Sequence, residues 1–416
     1  MSLAVLVTSA VHLYTQSPPA FMDLNVYREG VQAWWHGKDM YGTLPITIAG
    51  IYLPFIYPPF AAVIFGPLAA LPWAVAAITM LTISLVSLLV VIYLTVRHVW
   101  PAGGVRGAVL ATAVLAALSM KLQPVWDTLW FGQVNLLLML LVALDCLVAR
   151  PKWPRGLLIG IAAAVKLTPA VFVLYFLLRK DYKAALTSAI SGLAATLLGF
   201  VVNWSGSVEY WFGATGGARS VSGSTYYTNQ TIDAFFARLD LAKHEQSVLW
   251  IAVTAVVFVF AVAAIRRAHA LENAPLAMAL TGCFGLLASP TSWGHHWVYV
   301  VPGLIVMAAY AAKRLGGGGY PAAGRYRTRV RWAAAFVFTA LVFWYAPFEL
   351  LPHANNLELT WNWLQQIPGN SYTIVGIALL VIFGAPELSR VLRDRFGQQE
   401  TVTADTGPPD VVEPAR

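Results

Sequence analysis

The chain has 416 residues, of which 58% are hydrophobic and only 11% are charged, and its mean hydropathy is +0.66. Because soluble domains carry about 25% charged residues, this composition excludes a water-soluble globular protein and indicates an integral membrane protein. The formal net charge of +8 is explained by basic loops that set membrane topology, so nucleic-acid binding need not be invoked.

Apolar runs recur along the chain with the length that a membrane-crossing helix needs, about 17 to 25 residues. They predict an all-α polytopic membrane protein. The twelve predicted segments are 1–17, 58–72, 74–97, 104–120, 133–149, 157–178, 183–203, 246–267, 273–290, 297–313, 331–350 and 373–392. The first segment lacks the charged region that begins a cleaved signal peptide, so we expect it to be a true first helix.

Basic loops should face the cytoplasm, and from Lys183 onward they fall on one side of the predicted segments. The loops expected on the opposite, outer side are poor in Lys and Arg. These outer loops are 204–245, 291–296 and 351–372.

Two topologies compete before residue 183. If all twelve segments cross, the loops that hold Arg97 and Arg150 lie outside, against the charge rule. If 58–72 and 157–178 are re-entrant instead, those loops move inside. Both topologies place residues 18–57 outside and both termini in the cytoplasm.

We predict one transmembrane domain over residues 1–392 and a disordered cytoplasmic tail over residues 393–416. The tail is charged and contains two consecutive prolines, a composition typical of disorder. No internal repeat is evident in the transmembrane domain, which argues against a transporter, because many transporter folds are built from repeated halves.

Asp23 directly follows the first apolar segment, at the outer boundary of the membrane. A carboxylate placed there reaches both a lipid headgroup and an aqueous acceptor, so it is a candidate general base. Its alternative role is the N-cap of an interfacial helix, and the Trp and Tyr content of 18–57 predicts such helices in the first outer loop. Glu29 and Asp39 are alternative bases, further from the boundary.

Transfer of a sugar from a lipid phosphate also needs cationic or dipolar groups around the leaving phosphate. Arg219 and the pair His295 and His296, all in outer loops, are candidates for this role or for a proton relay. A lipid monophosphate leaving group does not oblige a divalent metal, and no ligand motif is present. We therefore predict no metal and no cofactor.

Two further ionisable residues lie in or near apolar stretches. Lys166 is inside segment 157–178, where a charge is costly and usually functional, and it serves either the donor phosphate or a structural pairing with Asp145. Asp127 stands between Trp126 and Trp130, and it either lines a cavity or caps the following helix.

Six short motifs occur in order along the chain. They are D-L-N-V-Y at 23–27, Y-P-P-F at 57–60, G-Q-V-N at 132–135, K-L-T-P at 166–169, Y-T-N-Q-T at 227–231 and S-P-T-S-W-G-H-H at 289–296. In this combination the chain resembles the actinobacterial polyprenol-phosphate-mannose-dependent α-1,2-mannosyltransferases. These are GT-C membrane enzymes that build phosphatidylinositol mannosides and lipomannan.

The resemblance implies a GT-C fold with twelve crossings and a catalytic role for Asp23. It also implies a polyprenyl-phosphate-β-mannose donor, a phosphatidylinositol mannoside acceptor, and an α-1,2 product formed with inversion on the periplasmic face of the cell membrane. Candidate residues for the donor phosphate or a proton relay are His295, His296, Arg219 and Lys166. Candidate substrate-binding residues are Tyr27, Tyr57, Trp34, Gln133, Asn229, Gln230 and Trp293.

Three alternatives remain open at this point. Within the same family, the chain could be a lipomannan-branching α-1,2-mannosyltransferase or an arabinofuranosyltransferase, because sugar identity depends on the shape of the pocket. In a different functional class, it could be a lipid-linked sugar transporter or flippase, with Lys166 and Asp145 as its charges within the membrane.

Overall fold

The computed structural model of the protein describes residues 21–213, 224–312, 322–353 and 355–404. Within these ranges the secondary structure is helical, apart from one isolated β-bridge between Asn229 and Trp293. The predicted all-α class is confirmed. The first predicted segment, 1–17, lies outside the described residues.

Seventeen α-helices are present in the described ranges, and most coincide with the predicted apolar segments. The first nine are α1 Met22–Trp35, α2 Pro59–Ala70, α3 Trp73–Val99, α4 Gly104–Ser119, α5 Gln123–Phe131, α6 Asn135–Leu147, α7 Leu157–Val165, α8 Phe172–Arg179 and α9 Tyr182–Val202. The remaining eight are α10 Trp204–Phe212, α11 Ile232–Ala237, α12 Lys243–Ala270, α13 Ala274–Ala288, α14 Val300–Ala311, α15 Ala322–Tyr345, α16 Trp363–Gly369 and α17 Ser371–Ala404. Short 3₁₀ turns include Thr168–Val171, Gly294–Tyr299 and Pro347–Leu350.

Polar side chains set where several helices begin. Asp181 accepts a hydrogen bond from the backbone N–H of Ala184 at the start of α9, at 3.2 Å. Asn273 caps α13 in the same way, through the N–H of Leu276 at 3.0 Å. Such caps satisfy backbone donors that the first helical turn leaves free, so an apolar run alone does not fix the bounds of its helix.

Five helices are long and apolar enough to cross a membrane, and α5 with α6, bent by 117°, would make a sixth if the two form one broken span. The 27 residues of α3, for example, extend about 40 Å, more than the hydrocarbon core of about 30 Å. The described chain is therefore a multi-pass membrane protein. The twelve-segment count and the interfacial position of α1 stay predictions.

The bundle has two ends, which we call the outer end and the inner end. The outer end is the one where Asp23 lines a cavity, and the inner end is the one where Arg266 lines another. Helix α6 connects them. It begins at Asn135, which donates a hydrogen bond to the backbone oxygen of His295 at the outer end, and it ends at Leu147 on the inner cavity.

The segment 157–178 starts and finishes at the same end of the bundle. Arg155, just before α7, and Arg179, the last residue of α8, both line the inner cavity. Between them, Lys166 reaches His296 at the outer end. The chain therefore rises along α7, breaks at Lys166, and returns along α8, so both ends of this segment lie at the inner end of the bundle.

The segment 58–72 also begins and ends at the outer end. Helix α2 has only 12 residues, about 18 Å, and it follows Tyr57 on the outer cavity. At its far end, Arg28 of α1 donates to the backbone oxygens of Leu68 and Leu71, the latter at 2.8 Å. Arg28 also lies over the ring of Trp73, 5.7 Å from its centroid, so α3 starts at the outer end.

The path of these two segments favours the re-entrant alternative, and the number of full crossings stays a prediction. With this path, Arg155 lines the same inner cavity as Arg266 and Arg390. His98, near the end of α3, lines this cavity as well. The conflict with the positive-inside rule before residue 183 disappears, because the early basic loops join the later ones at the inner end.

Helix α17 continues to Ala404, past residue 393, where the sequence predicts a disordered tail to begin. The remainder of that tail, residues 405–416, lies outside the described residues.

Candidate active site

A cavity of about 790 Å³ opens at the outer end of the bundle. One of its walls is apolar and is formed mainly by Met22, Val26, Ile51, Leu53 and Ile56. The polar part of the lining contains Asp23, Asp127, Gln133, His295, His296 and Glu349. Tyr57 and Trp293 line it too. The cavity lining therefore includes residues from every motif except K-L-T-P at 166–169.

Asp23 lies in the first turn of α1, but it does not cap that helix. The N-cap position is Phe21, in the left-handed conformation with φ of 65°, and no side chain caps the helix. Instead, the backbone N–H of Phe21 bonds the backbone oxygen of Trp130 at 2.6 Å. This bond ties the start of α1 to the end of α5 and leaves the Asp23 carboxylate free to face the cavity.

The sharp bend between α5 and α6 depends on Gly132. Its φ is +65°, a left-handed value that disfavours residues with a Cβ atom. A Cβ there would also lie 2.9 Å from the Phe21 ring and 3.0 Å from Cβ of Leu24. Glycine therefore lets α1 pack directly on the bend, which brings the next residue, Gln133, to Asp23.

Gln133 holds the Asp23 carboxylate in place. Its Nε2 donates to Oδ2 of Asp23 at 3.1 Å. Its Oε1 accepts from the hydroxyls of Tyr27 and Tyr57, the latter at 3.1 Å, and the two hydroxyls are 3.1 Å apart. Tyr27 is fully buried and acts behind the cavity wall, whereas Tyr57 also lines the cavity.

Burial raises the pKa of the Asp23 carboxyl to about 6, against an opposing effect of the Lys166 charge and the Gln133 hydrogen bond. A carboxyl with this pKa is ionised at neutral pH and still accepts a proton readily. These properties suit a general base.

Lys166 is held at the break between α7 and the following 3₁₀ turn. Its Nζ donates to Oδ1 of Asn135 at 2.9 Å and lies 3.0 Å from Nε2 of His296. Asp145, the predicted structural partner, instead accepts from Nε1 of Trp153 at 2.8 Å near the inner end of α6. The pairing of Lys166 with Asp145 is therefore wrong, and the lysine contacts His296, a residue that lines the outer cavity.

The two adjacent histidines have different surroundings. His296 contacts Lys166, while the backbone oxygen of His295 accepts from Oγ1 of Thr128 and Nδ2 of Asn135, both at 2.9 Å. Burial, and then the charge of Lys166, lowers the pKa of both rings well below the usual value. Both imidazoles are therefore neutral at physiological pH and act as hydrogen-bonding groups.

Asp127 and Glu349 form a second acidic group in the cavity lining. Nε2 of Gln123 donates to Oδ2 of Asp127 at 2.6 Å and to Oε1 of Glu349 at 3.1 Å. Burial raises the pKa of the Glu349 carboxyl. Beside them, the rings of Trp126 and Trp130 stack at 6.3 Å between centroids. The carboxylates can accept hydrogen bonds from sugar hydroxyls, and the aromatic faces can stack against sugar rings.

The sequence left the role of Asp127 open and did not identify Glu349. Asp127 lies within α5 and lines the cavity; it does not cap α6. Glu349 falls inside the predicted segment 331–350, where an acid is costly and usually functional; in the structure it lies in the 3₁₀ turn Pro347–Leu350, after α15 has ended at Tyr345. In the described ranges no group of three or more His, Cys, Asp or Glu side chains is arranged to hold a metal ion.

Asn229 and Gln230 have a different role from the predicted substrate contact. Both are fully buried, and Oδ1 of Asn229 accepts from the N–H of Ser292 at 2.9 Å. The Gln230 amide donates to the backbone oxygen of Gly369 at 2.8 Å. These side chains join three outer loops and so position Trp293 and the histidines.

Two predicted residues remain outside this arrangement. Trp34 is half-buried, about three turns along α1 from Asp23, and it is not among the described residues that line the cavity. Arg219 lies outside the described residues.

Comparison with known proteins gives one family match and several curated relatives. The model of glycosyltransferase family 87 matches residues 55–290. A polyprenol-phosphate-mannose-dependent α-(1-2)-phosphatidylinositol mannoside mannosyltransferase of Mycolicibacterium smegmatis is 39% identical over 392 residues, 89% of this chain and 85% of that protein. A protein of the same description from Mycobacterium tuberculosis is 37% identical, covering 91% of this chain and 87% of that protein.

Among solved structures, ArnT from Cupriavidus metallidurans bound to undecaprenyl phosphate aligns with 93% of this chain and 77% of its own. The TM-score is 0.41 and the sequence identity is 14%.

Proposed function

Since the chain belongs to glycosyltransferase family 87, we propose that it transfers mannose from polyprenyl-phosphate-mannose to a hydroxyl of a phosphatidylinositol mannoside. The chain is a mannosyltransferase, as the family and the two relatives establish. The α-1,2 linkage, the inverting mechanism and the periplasmic side are parts of the proposal.

One observation carries the mechanism: the Asp23 carboxylate faces a large outer cavity and is oriented by Gln133. A general base must lie in hydrogen-bonding reach of the proton that it removes. Asp23 meets this requirement for an acceptor hydroxyl placed in the cavity. Glu29 and Asp39 are not among the described residues that line the cavity.

The transfer is a single displacement. The acceptor hydroxyl oxygen attacks the anomeric carbon of the donor mannose while the bond from that carbon to the phosphate oxygen breaks. The phosphate leaves with the electron pair, and Asp23 takes the hydroxyl proton. Attack opposite the leaving group converts a β-linked donor into an α-linked product, and Asp23 later releases its proton to water.

The negative charge that grows on the leaving phosphate needs a positive or dipolar partner. Lys166, fixed by Asn135 and His296, supplies the charge next to His296, which lines the cavity. The neutral rings of His295 and His296 can donate a hydrogen bond to a phosphate oxygen. This set fits a lipid monophosphate leaving group.

The two walls of the cavity fit the two ends of the substrates. The apolar wall, including Ile51 and Leu53, suits the prenyl chain of the donor because it removes hydrocarbon from water. The acidic wall with Asp127, Glu349 and the stacked tryptophans suits the sugars of the acceptor. The donor phosphate then lies between the walls, near Lys166.

The distribution of charge supports a periplasmic site. Basic residues collect at the inner end, which by the positive-inside rule faces the cytoplasm. The outer cavity then opens on the periplasmic side, and α17 ends on the cytoplasmic side.

The decisive test is a reaction of the purified chain with polyprenyl-phosphate-mannose and short phosphatidylinositol mannosides. Product mass should increase by one hexose, and linkage analysis should give an α-1,2 bond. Absence of product with these acceptors, together with transfer to lipomannan or from an arabinofuranose donor, would favour the two alternatives within the family. Sugar-lipid flux in proteoliposomes without any transfer would favour a flippase.

A further inference from the structure

A second cavity, of about 590 Å³, lies at the inner end of the bundle. It is built where α3, α6, α8, α12, α13 and α17 meet, and it shares no lining residue with the outer cavity. The transfer reaction proposed above makes no use of it. Its lining is part apolar, from Leu147, Val148 and Leu178, and part strongly basic.

Five cationic side chains line the inner cavity, against two carboxylates. The cations are Arg155, Arg179, Lys180, Arg266 and Arg390, and the carboxylates are Glu272 and Glu387. The one ion pair in the described ranges joins Arg390 to Glu387 at 2.7 Å. The cavity therefore keeps a surplus of positive charge that the protein does not neutralise.

Arg155 and the other cations differ in how they are used. The Arg155 guanidinium donates to the backbone oxygens of Asp145, Val148 and Ala149, the last two at 2.7 and 2.9 Å. These bonds fix its position and shape the loop after α6. Arg179 and Arg266 are exposed on the rim, where they can move to meet an anion.

His269, which also lines this cavity, has a buried ring nitrogen. Nε2 of His269, on the last turn of α12, makes no hydrogen bond to any described residue. A buried polar atom without a partner is costly, and a ligand oxygen at this position would satisfy it. The cations and the His269 residue line the same cavity.

We propose that the inner cavity binds a phosphate group carried by an anionic phospholipid, entering from the leaflet opposite to the catalytic site. Basic pockets between transmembrane helices on the cytoplasmic side bind phospholipid headgroups by this chemistry. The apolar residues beside the cations contact the upper part of the acyl chains, which free phosphate lacks. The site is independent of the proposed mannosyl transfer.

The test uses the detergent-purified full chain with dioleoylphosphatidylglycerol, dioleoylphosphatidylcholine or inorganic phosphate. Native mass spectrometry counts retained lipids, and thermal unfolding reports stabilisation. We expect phosphatidylglycerol to be retained and to raise Tm, and phosphatidylcholine to do neither. A Tm rise with inorganic phosphate alone, without retention of phosphatidylglycerol, would overturn the lipid assignment in favour of a soluble phosphate compound.

The double variant Arg179→Gln/Arg266→Gln should bind phosphatidylglycerol at least about ten-fold more weakly, since each basic side chain near an anionic headgroup contributes measurably to affinity. Arg179→Lys/Arg266→Lys should retain most binding. The matched control is Arg106→Gln, an exposed cation at the same end of the bundle that does not line the cavity.

Equal losses in the double variant and in Arg106→Gln would overturn the proposal, because binding would then follow the general surface charge. Unchanged binding in the double variant would overturn it as well. Retained mannosyl transfer by both variants would establish that they are folded.

Discussion

The two cavities use the ends of the same helices, yet their charged groups are organised differently. At the outer end, Asp23, Lys166 and Gln133 are each bonded to a named partner inside the protein. At the inner end, exposed arginines such as Arg179 and Arg266 make no ion pair in the described ranges.

The difference separates catalysis from binding. A site that stabilises a transition state must hold its groups before the substrate arrives, and the outer cavity does so. A site that only retains an anion can rely on surplus charge and mobile side chains. The positive-inside rule can point to an anion-binding site, because such a site is a cluster of basic residues. It contains no information about a catalytic site whose groups are held by internal hydrogen bonds.

The largest expected effect is that of Asp23→Asn. Loss of the general base should reduce mannosyl transfer about 1,000-fold, while the amide keeps the size of the side chain. The rate is measured by product formation with saturating donor. The control is Glu29→Gln on the same helix, which should keep activity; an equal loss there would refute the assignment of the base.

Lys166→Met should reduce the rate about 100-fold, because the leaving phosphate loses its charged partner. The Lys166 charge also lowers the pKa of Asp23, so the acidic limb of the rate profile should move to higher pH. Lys183→Met, an exposed lysine at the inner end, is the control. If the maximal rate falls while the acidic limb stays at the same pH, Lys166 does not influence the pKa of Asp23.

Asp127→Asn and Glu349→Gln should each raise the KM for the acceptor about ten-fold, since a hydrogen bond from a sugar hydroxyl to a charged oxygen is weakened. kcat should change less. Steady-state kinetics with a phosphatidylinositol mannoside measures both, and Asp240→Asn, an exposed outer acid, serves as control. A fall in kcat with unchanged KM would instead give this pair a part in the chemical step.

The smallest effect is the pH dependence of the unaltered enzyme. The pKa of Asp23 is raised to about 6, and the base acts in its ionised form. The rate should therefore be half-maximal near pH 6, decline about ten-fold for each further unit of acidity, and stay level above neutrality. A rate that stays constant from neutrality down to about pH 5 would contradict this basis for Asp23 catalysis.

Much of the outer cavity was predictable because it is built from motifs. Asp23, Gln133, Lys166 and the two histidines were identified along the chain, and the structure brings them together. The predicted pairing of Lys166 with Asp145 failed because both residues lie in apolar stretches, and the pattern does not reveal that α7 breaks at Lys166.

The fold was predictable in its helices and less so in its path through the bundle. Apolar length cannot distinguish a crossing from a chain that turns back, as segment 157–178 does. The basic residues around Arg155 contained the relevant information, since only the re-entrant path agrees with the charge rule. The inner cavity was not predictable, because it assembles residues from six separate helices.

The side chain of Asn135 makes two hydrogen bonds of opposite direction, which limits the residues that can replace it in this protein. Its Nδ2 donates a hydrogen bond to the backbone oxygen of His295, and its Oδ1 accepts one from Lys166. Aspartate has the same shape, but its carboxylate would repel the carbonyl oxygen of His295. Leucine would make neither hydrogen bond, and glutamine would be one methylene too long. Of the residues compared, only asparagine makes both hydrogen bonds at this position.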